Sequence, residues 1–184
     1  MLASQPHAPC IWFCGLSGAG KSTVANELDA LFREKKIPAC ILDGDIVRKG
    51  LCKDLGFSQA DRHENLRRIR EVAKILSMTQ TIPIVACITP FEQDRREARE
   101  AFKENDFLLV FMDTPLEVCQ KRDPKKLYAK AAQGLIKNFT GLDSAFEKPQ
   151  SADLVIADMD QKDAANAILH HRFIQDWISR RQTH

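Results

Sequence analysis

Eight consecutive residues carry the most specific chemistry in the chain. Gly15-Leu16-Ser17-Gly18-Ala19-Gly20-Lys21-Ser22 satisfies G-x-x-x-x-G-K-S/T at every fixed position. Glycines at those points let the backbone curl so that successive N–H groups face one concavity and bind phosphate oxygens. A helix starting directly behind the loop adds unpaired N–H groups and its positive dipole end. Lys21 then reaches the β- and γ-phosphates of a nucleoside triphosphate, and the Ser22 hydroxyl is placed to ligate Mg2+. Apolar Val24, Leu28 and Leu31 supply the buried face of that helix. A chance glycine turn would have no reason to be followed by such a face. The loop marks a nucleotide phosphate site and leaves the reaction open.

Two later stretches suggest what meets the phosphate. Leu42-Asp43-Gly44-Asp45, followed by Arg48, ends an apolar run. Two carboxylates around a glycine there suit metal-water orientation or activation of a hydroxyl nucleophile; a plain acidic turn is the alternative. Ser58 and Asp61 form the spacing of a capping box, which places a helix start near Gln59. On that helix Leu66, Ile69, Ala73 and Leu76 make one apolar stripe, and Arg62 and Asn65 extend it toward the N-terminus. Arg67, Arg68 and Arg70 point elsewhere, as surface charges. An arginine and an asparagine on an inward face need partners, since burying them unpaired is costly. An internal salt bridge or an anionic substrate would serve.

The elements that position these residues can be read from the hydrophobic pattern. Strands are expected at Ile11–Cys14, Ala39–Leu42, Ile82–Ile88, Phe107–Met112 and Leu154–Ala157, as nearly continuous apolar runs typical of a parallel sheet covered on both faces. Helices are expected at Lys21–Lys35, Gln59–Gln80, Phe91–Glu104, Pro115–Gln120, Pro124–Gln133 and Lys162–Ser179. This alternation is that of an α/β fold, with ligand chemistry at the carboxyl ends of the strands. The 184 residues fit one domain, 1–184, with no repeat, low-complexity tract or dividing linker.

Composition narrows the classes further. With 44% hydrophobic and 28% charged residues the chain has the means for a packed core. A net charge of +2 excludes a generally basic nucleic-acid-coating protein, so no nucleic-acid partner is expected. No apolar run is long enough to span a bilayer, and Met1–Pro9 lacks a secretory pattern, so the expected setting is cytoplasmic and away from membranes. The six cysteines form no C-x-x-C pair and have no histidine at zinc spacing; they read as free thiols, not as a disulfide framework. Charge is nevertheless uneven: Lys121, Arg122, Lys125, Lys126, Lys130 and Lys137 face one acid, Asp123, a local balance of +5 against −3 elsewhere. That run is either a solvated helix face or a basic mobile lid over a polyanionic ligand, spanning about residues 121–149.

The ordered set of motifs resembles the adenylylsulfate kinase (APS kinase) family. It comprises Gly15 through Thr23, Leu42-Asp-Gly-Asp-Ile-Val-Arg48, Gly56 through Arg68, Thr89-Pro-Phe91 and Asp113 through Cys119. Arg122-Asp-Pro-Lys125 with Leu127-Tyr128 follows, and then Ile136 through Gly141. The resemblance covers roughly residues 11–149. It implies a P-loop kinase-type five-stranded parallel sheet flanked by helices. It also implies transfer of the ATP γ-phosphate to the 3′-hydroxyl of adenylyl sulfate, giving 3′-phosphoadenylyl sulfate and ADP, with Mg2+ as cofactor. By the same resemblance ATP is held by Gly15, Leu16, Ser17, Gly18, Ala19, Gly20, Lys21, Ser22 and Thr23, with Arg122 near its adenine. Lys21 and Asp45 are then catalytic, and Ser22 and Asp45 bind the metal. Asp45 lies near the 3′-hydroxyl, Arg48, Arg62 and Asn65 hold the phosphosulfate and ribose end, and Phe57 and Phe139 sandwich the adenine. Backbone at Ile88 and Thr89, with Lys125, completes the pocket. A homodimer is the expected assembly.

Thr89 departs from the pattern, because the family usually carries a serine there, proposed as a phosphorylated intermediate. In-line transfer needs only positioning and charge neutralisation, so no covalent role is expected of Thr89. Two other readings remain open at this point. A kinase of a nucleoside monophosphate or sugar acid would share the sheet, although a sugar acid offers no base to stack on Phe57 and Phe139. A nucleotide-dependent switch would be expected to show Asn-Lys-x-Asp near the fourth strand, where Phe111-Met-Asp113-Thr-Pro115 stands instead.

Overall fold

In the computed structural model, which describes residues 7–103 and 106–182, the strands are β1 (Cys10–Cys14), β2 (Ala39–Asp43), β3 (Ile82–Ala86), β4 (Phe107–Met112) and β5 (Leu154–Ile156). They form one parallel sheet in the order β2-β3-β1-β4-β5. Ile11 of β1 lies opposite Ile84 on one side and Leu108 on the other. The three inner strands are buried along their whole length, which is why they read as unbroken apolar runs. Most of Met1–Pro9, and Glu104, lie outside the described residues.

Alternation along β1 divides the core into two layers. Ile11 and Phe13 pack with α1 (Lys21–Glu34), through Leu28 and Phe32, and with a C-terminal helix pair. Cys10, Trp12 and Cys14 pack on the opposite face with Leu66, Ile69 and Ala73 of α3 (Gln59–Met78) and with Ala98 of α4 (Glu92–Glu100). All six cysteines are free thiols, five of them buried.

Several boundaries differ from expectation for identifiable reasons. A short helix α2 (Gly44–Val47) follows β2 directly, because the Asp43 side chain accepts the Asp45 N–H at 2.9 Å and caps it. β3 ends at Ala86, where both neighbouring strands turn away: β1 into the phosphate loop, β2 into α2. Beyond the end of β3 the carbonyl of Ile88 accepts from Gly15 N at 3.1 Å. The helix expected at Pro115–Gln120 is α5 (Leu116–Arg122), and the one expected at residues 124–133 starts later, as α6 (Leu127–Ala132). Asp123 accepts the N–H groups of Leu127 at 2.7 Å, Tyr128 at 3.2 Å and Ala129 at 3.0 Å.

The single closing helix expected at Lys162–Ser179 is two, α7 (Gln161–Leu169) and α8 (Arg172–Gln182), broken at His170-His171. On an unbroken helix at about 100° per residue, Ile174 and Trp177 would lie roughly opposite Ala165 and Ile168. The break returns both to the core, where all four are buried.

Candidate active site

The phosphate loop joins β1 to α1 at the centre of the sheet, where β3 and β4 diverge to either side, the place an open α/β sheet binds ligands. Its path requires glycine at two points. A Cβ on Gly15, at φ 141°, would come within 2.8 Å of the Met112 carbonyl; one on Gly18, at φ 78°, within 2.9 Å of the Cys119 carbonyl.

Every carbonyl of the loop from Gly15 to Gly20 is engaged. Lys21 Nζ donates to those of Gly15 at 2.8 Å and Leu16 at 2.7 Å. Tyr128 Oη donates to Ser17 at 3.0 Å, an Arg122 nitrogen to Gly18 at 3.5 Å, Thr114 Oγ1 to Ala19 at 3.1 Å, and Val24 N to Gly20 at 3.0 Å. A curl whose carbonyls are all taken up in this way presents N–H groups to an anion. Burial pushes the Lys21 amine down to about 8.

A cavity of about 830 Å³ opens beside the loop, and the expected residues converge on it. Ser17, Gly18, Gly20, Lys21, Ser22 and Thr23 line its phosphate side. Ser22 Oγ donates to Asp43 Oδ2 at 2.6 Å. Asp45 pairs instead with Lys125, so the carboxylate beside the Ser22 hydroxyl is Asp43. Gly15, Leu16 and Ala19 shape the loop without lining this cavity.

The far wall is cationic and aromatic. The Arg48 guanidinium lies 4.5 Å from the centre of the Phe57 ring and that of Arg62 lies 5.9 Å from it. Arg48 donates to Gly56 O at 2.9 Å; Arg62 donates to Phe57 O at 3.1 Å and to Asn138 O. Burial first and the adjacent Arg48 charge second lower the Arg62 pKa. Two like charges on one wall give this part of the cavity a positive potential, which attracts anions. Asn65 is buried there with its Oδ1 unpartnered. Phe57 is 54% exposed, whereas Phe139 is buried against Tyr128; both line the cavity.

Ile88 and Thr89 form the floor, with both carbonyls engaged: Ile88 by Gly15 N, Thr89 by Arg95 at 2.8 Å. Thr89 is 1% exposed at φ 46°, a left-handed conformation that a β-branched residue rarely adopts. Its hydroxyl accepts from Trp12 Nε1 at 2.9 Å. The basic run divides between its two readings: Arg122, Lys125 and Lys137 line the cavity, while Lys121, Lys126 and Lys130 are exposed. A second cavity of about 410 Å³ on the other side of Arg122 is lined by Gly20, Thr114, Pro115 and Asp158.

Sequence reasoning gave Thr114, Arg95 and Tyr128 no role. Thr114 carried a weak signal, as a hydroxyl at a strand end, and Tyr128 a better one, as the chain's single tyrosine in a basic helix. Arg95 carried none: its Glu92 partner reads as an ordinary i,i+3 surface pair, and its contact with Glu147 lies 52 residues away.

The adenylylsulphate kinase family model matches residues 7–157. The chain is 53% identical over 146 residues to the adenylyl-sulfate kinase of Pseudomonas aeruginosa, covering 79% of this chain and 74% of that protein. It is 48% identical over 173 residues to the bifunctional enzyme NodQ of Rhizobium sp. (strain BR816), of which it spans 27%. The structure of the Mycobacterium tuberculosis APS kinase CysC in complex with AMPPNP and APS superposes with a TM-score of 0.86 at 42% identity, over 95% of this chain and 99% of that one. A phosphate loop facing a cationic, aromatic-walled cavity, set in this sheet and matched over this length, shows that the chain belongs to the adenylylsulphate kinase family.

Proposed function

We propose that the residues around the cavity divide between them the work of an adenylyl-sulfate kinase, the activity that belongs to this family: transfer of the ATP γ-phosphate to the 3′-hydroxyl of adenylyl sulfate. The phosphate loop holds the ATP phosphates, and Lys21 balances the charge that spreads over the transferred group. Arg122, between the two cavities, directs the ATP adenine into the smaller one.

A hydroxyl and a carboxylate 2.6 Å apart beside the loop are a hard-oxygen donor set suited to Mg2+. Ser22 and Asp43 would therefore hold the metal, with Asp43 in the place first expected of Asp45. When bound, Mg2+ neutralises charge on the β- and γ-phosphates. Asp45, held at the cavity by Lys125, is the acceptor for the 3′-hydroxyl proton. Residues 121–149 act as a lid that excludes water from the transfer. The free thiols suit a reducing, cytoplasmic setting.

The observation that carries this reading is the pair of guanidinium groups over Phe57, which offers one anionic nucleotide both charge and a stacking face. Losing one charge-assisted hydrogen bond in a closed site costs about 2 kcal/mol, about thirty-fold. Arg62→Ala should lower kcat/KM for adenylyl sulfate at least that much while ATP affinity measured alone barely changes. Equal losses for both nucleotides would place Arg62 at the shared phosphate site or in the scaffold.

A further inference from the structure

The chain's single tyrosine takes no part in charge neutralisation or proton transfer, yet it touches both halves of the site. Tyr128 is 5% exposed on α6. Its hydroxyl donates to Ser17 O in the phosphate loop at 3.0 Å, and its ring meets Phe139 edge-on, with centroids 4.9 Å apart and planes at 84°. A phenol has two side-chain torsions, so oxygen and ring edge move together.

Both ends of this link are anchored. Asp123 fixes the backbone around Tyr128 through three N–H groups. Asp143 accepts from Asn138 N at 2.7 Å and from Phe139 N, and Arg62 donates to Asn138 O. Burial raises the phenol pKa, so the hydroxyl remains a donor at neutral pH.

A phosphate chain in the loop binds backbone N–H groups on either side of Ser17 and so fixes the Ser17 carbonyl. We propose that Tyr128 is a positioning residue that couples the two nucleotide sites, holding the Phe139 ring in place for the second nucleotide once ATP occupies the loop. This rests on the reading of Phe139 as a wall of the adenylyl sulfate pocket. The coupling is reciprocal: adenylyl sulfate tightens ATP binding by the same factor.

Adenylyl sulfate is titrated into wild type and Tyr128→Phe, with and without a saturating non-hydrolysable ATP analogue, and the titration is repeated in reverse order. Wild type should bind adenylyl sulfate more tightly when the analogue is present. Tyr128→Phe keeps the ring and loses one buried hydrogen bond, so it should lose about five-fold of that tightening, equally in both directions. Adenylyl sulfate alone should bind within about two-fold of wild type. Full tightening in Tyr128→Phe, or none in wild type, overturns the proposal. Should the variant fail to fold, hydrogen exchange on wild type decides: the analogue alone must slow exchange at Phe139 and Thr140, and unchanged exchange overturns the coupling. Phe139→Ala separates the two layers. Unaltered adenylyl sulfate affinity there removes the pocket reading and the coupling with it; lost affinity with coupling intact in Tyr128→Phe removes the coupling alone.

Discussion

Lys21 keeps a charge where burial opposes it, and that tension has a measurable consequence. Its pKa lies near 8 without ligand. ATP phosphates beside the amine must raise that value, since an opposite charge favours the protonated form. Below about pH 7 the amine is charged before and after binding, and no proton moves. Above about pH 8 the free protein has increasingly lost the proton that the complex, with its raised pKa, still holds, so binding takes one up and affinity falls as pH rises. Calorimetry with a non-hydrolysable ATP analogue, in buffers of different ionisation enthalpy, should show uptake approaching one proton at about pH 9 and none at about pH 6.5. Lys21→Met should abolish the uptake; proton release at pH 9 would contradict the assignment. Lys21 was legible because its motif is local. Which of Asp43 and Asp45 pairs with Ser22 was not, because that depends on the capping turn at Gly44. The Thr89 hydroxyl was equally hidden, since the indole that binds it lies 77 residues away.

The elements around the cavity are joined by one buried arginine. Arg95 of α4 is 1% exposed and donates to Thr89 O at 2.8 Å, to Glu147 O at 2.8 Å and to the Glu92 carboxylate at 2.6 Å. Glu147 also donates from its N–H to Pro90 O at 2.9 Å, and its carboxylate accepts from Glu92 N at 2.6 Å. The end of the 121–149 segment is thereby fastened to the cavity floor, and the unfavourable φ of Thr89 is held from outside. Arg95→Met would leave two carbonyls and a carboxylate without this partner, a loss of about 3 kcal/mol. For a chain of this size that lowers the unfolding midpoint by about 6–12 °C, read by calorimetry without ligand. A midpoint within about 2 °C of wild type would show that the fastening contributes nothing. Periodicity revealed the α3 stripe with Arg62 and Asn65, and the Ser58–Asp61 capping box forms as its spacing implied. It did not reveal the break between α7 and α8, because helical pattern persists on both sides and only core closure decides the turn.

At the scale of the whole molecule, the sheet order accounts for why a strand end, a helix start and a distant loop meet. β1 stands at the centre with β3 and β4 beside it, so the phosphate loop, the Asp43–Arg48 segment and Ile88-Thr89 open on the same edge. α3 brings Arg62 and Asn65 to that edge from one layer, and Lys125 to Phe139 cross it. Strand-and-helix alternation implied only that ligand chemistry gathers at the carboxyl ends of the strands, and the family resemblance implied which residues meet there. The contacts of Arg62 with Asn138 and of Tyr128 with Phe139 are ones that no local pattern encodes. On the proposed reading, an anion that carries a base suits this cationic, aromatic wall, and a sugar acid would offer Phe57 and Phe139 no base to stack on. The most direct measurement is ATP-dependent ADP release by the wild-type protein with adenylyl sulfate, AMP, shikimate and gluconate compared at equal concentration. Adenylyl sulfate should be phosphorylated fastest by a wide margin, with the new phosphate on its 3′-hydroxyl; faster release with AMP or with either sugar acid would contradict the account.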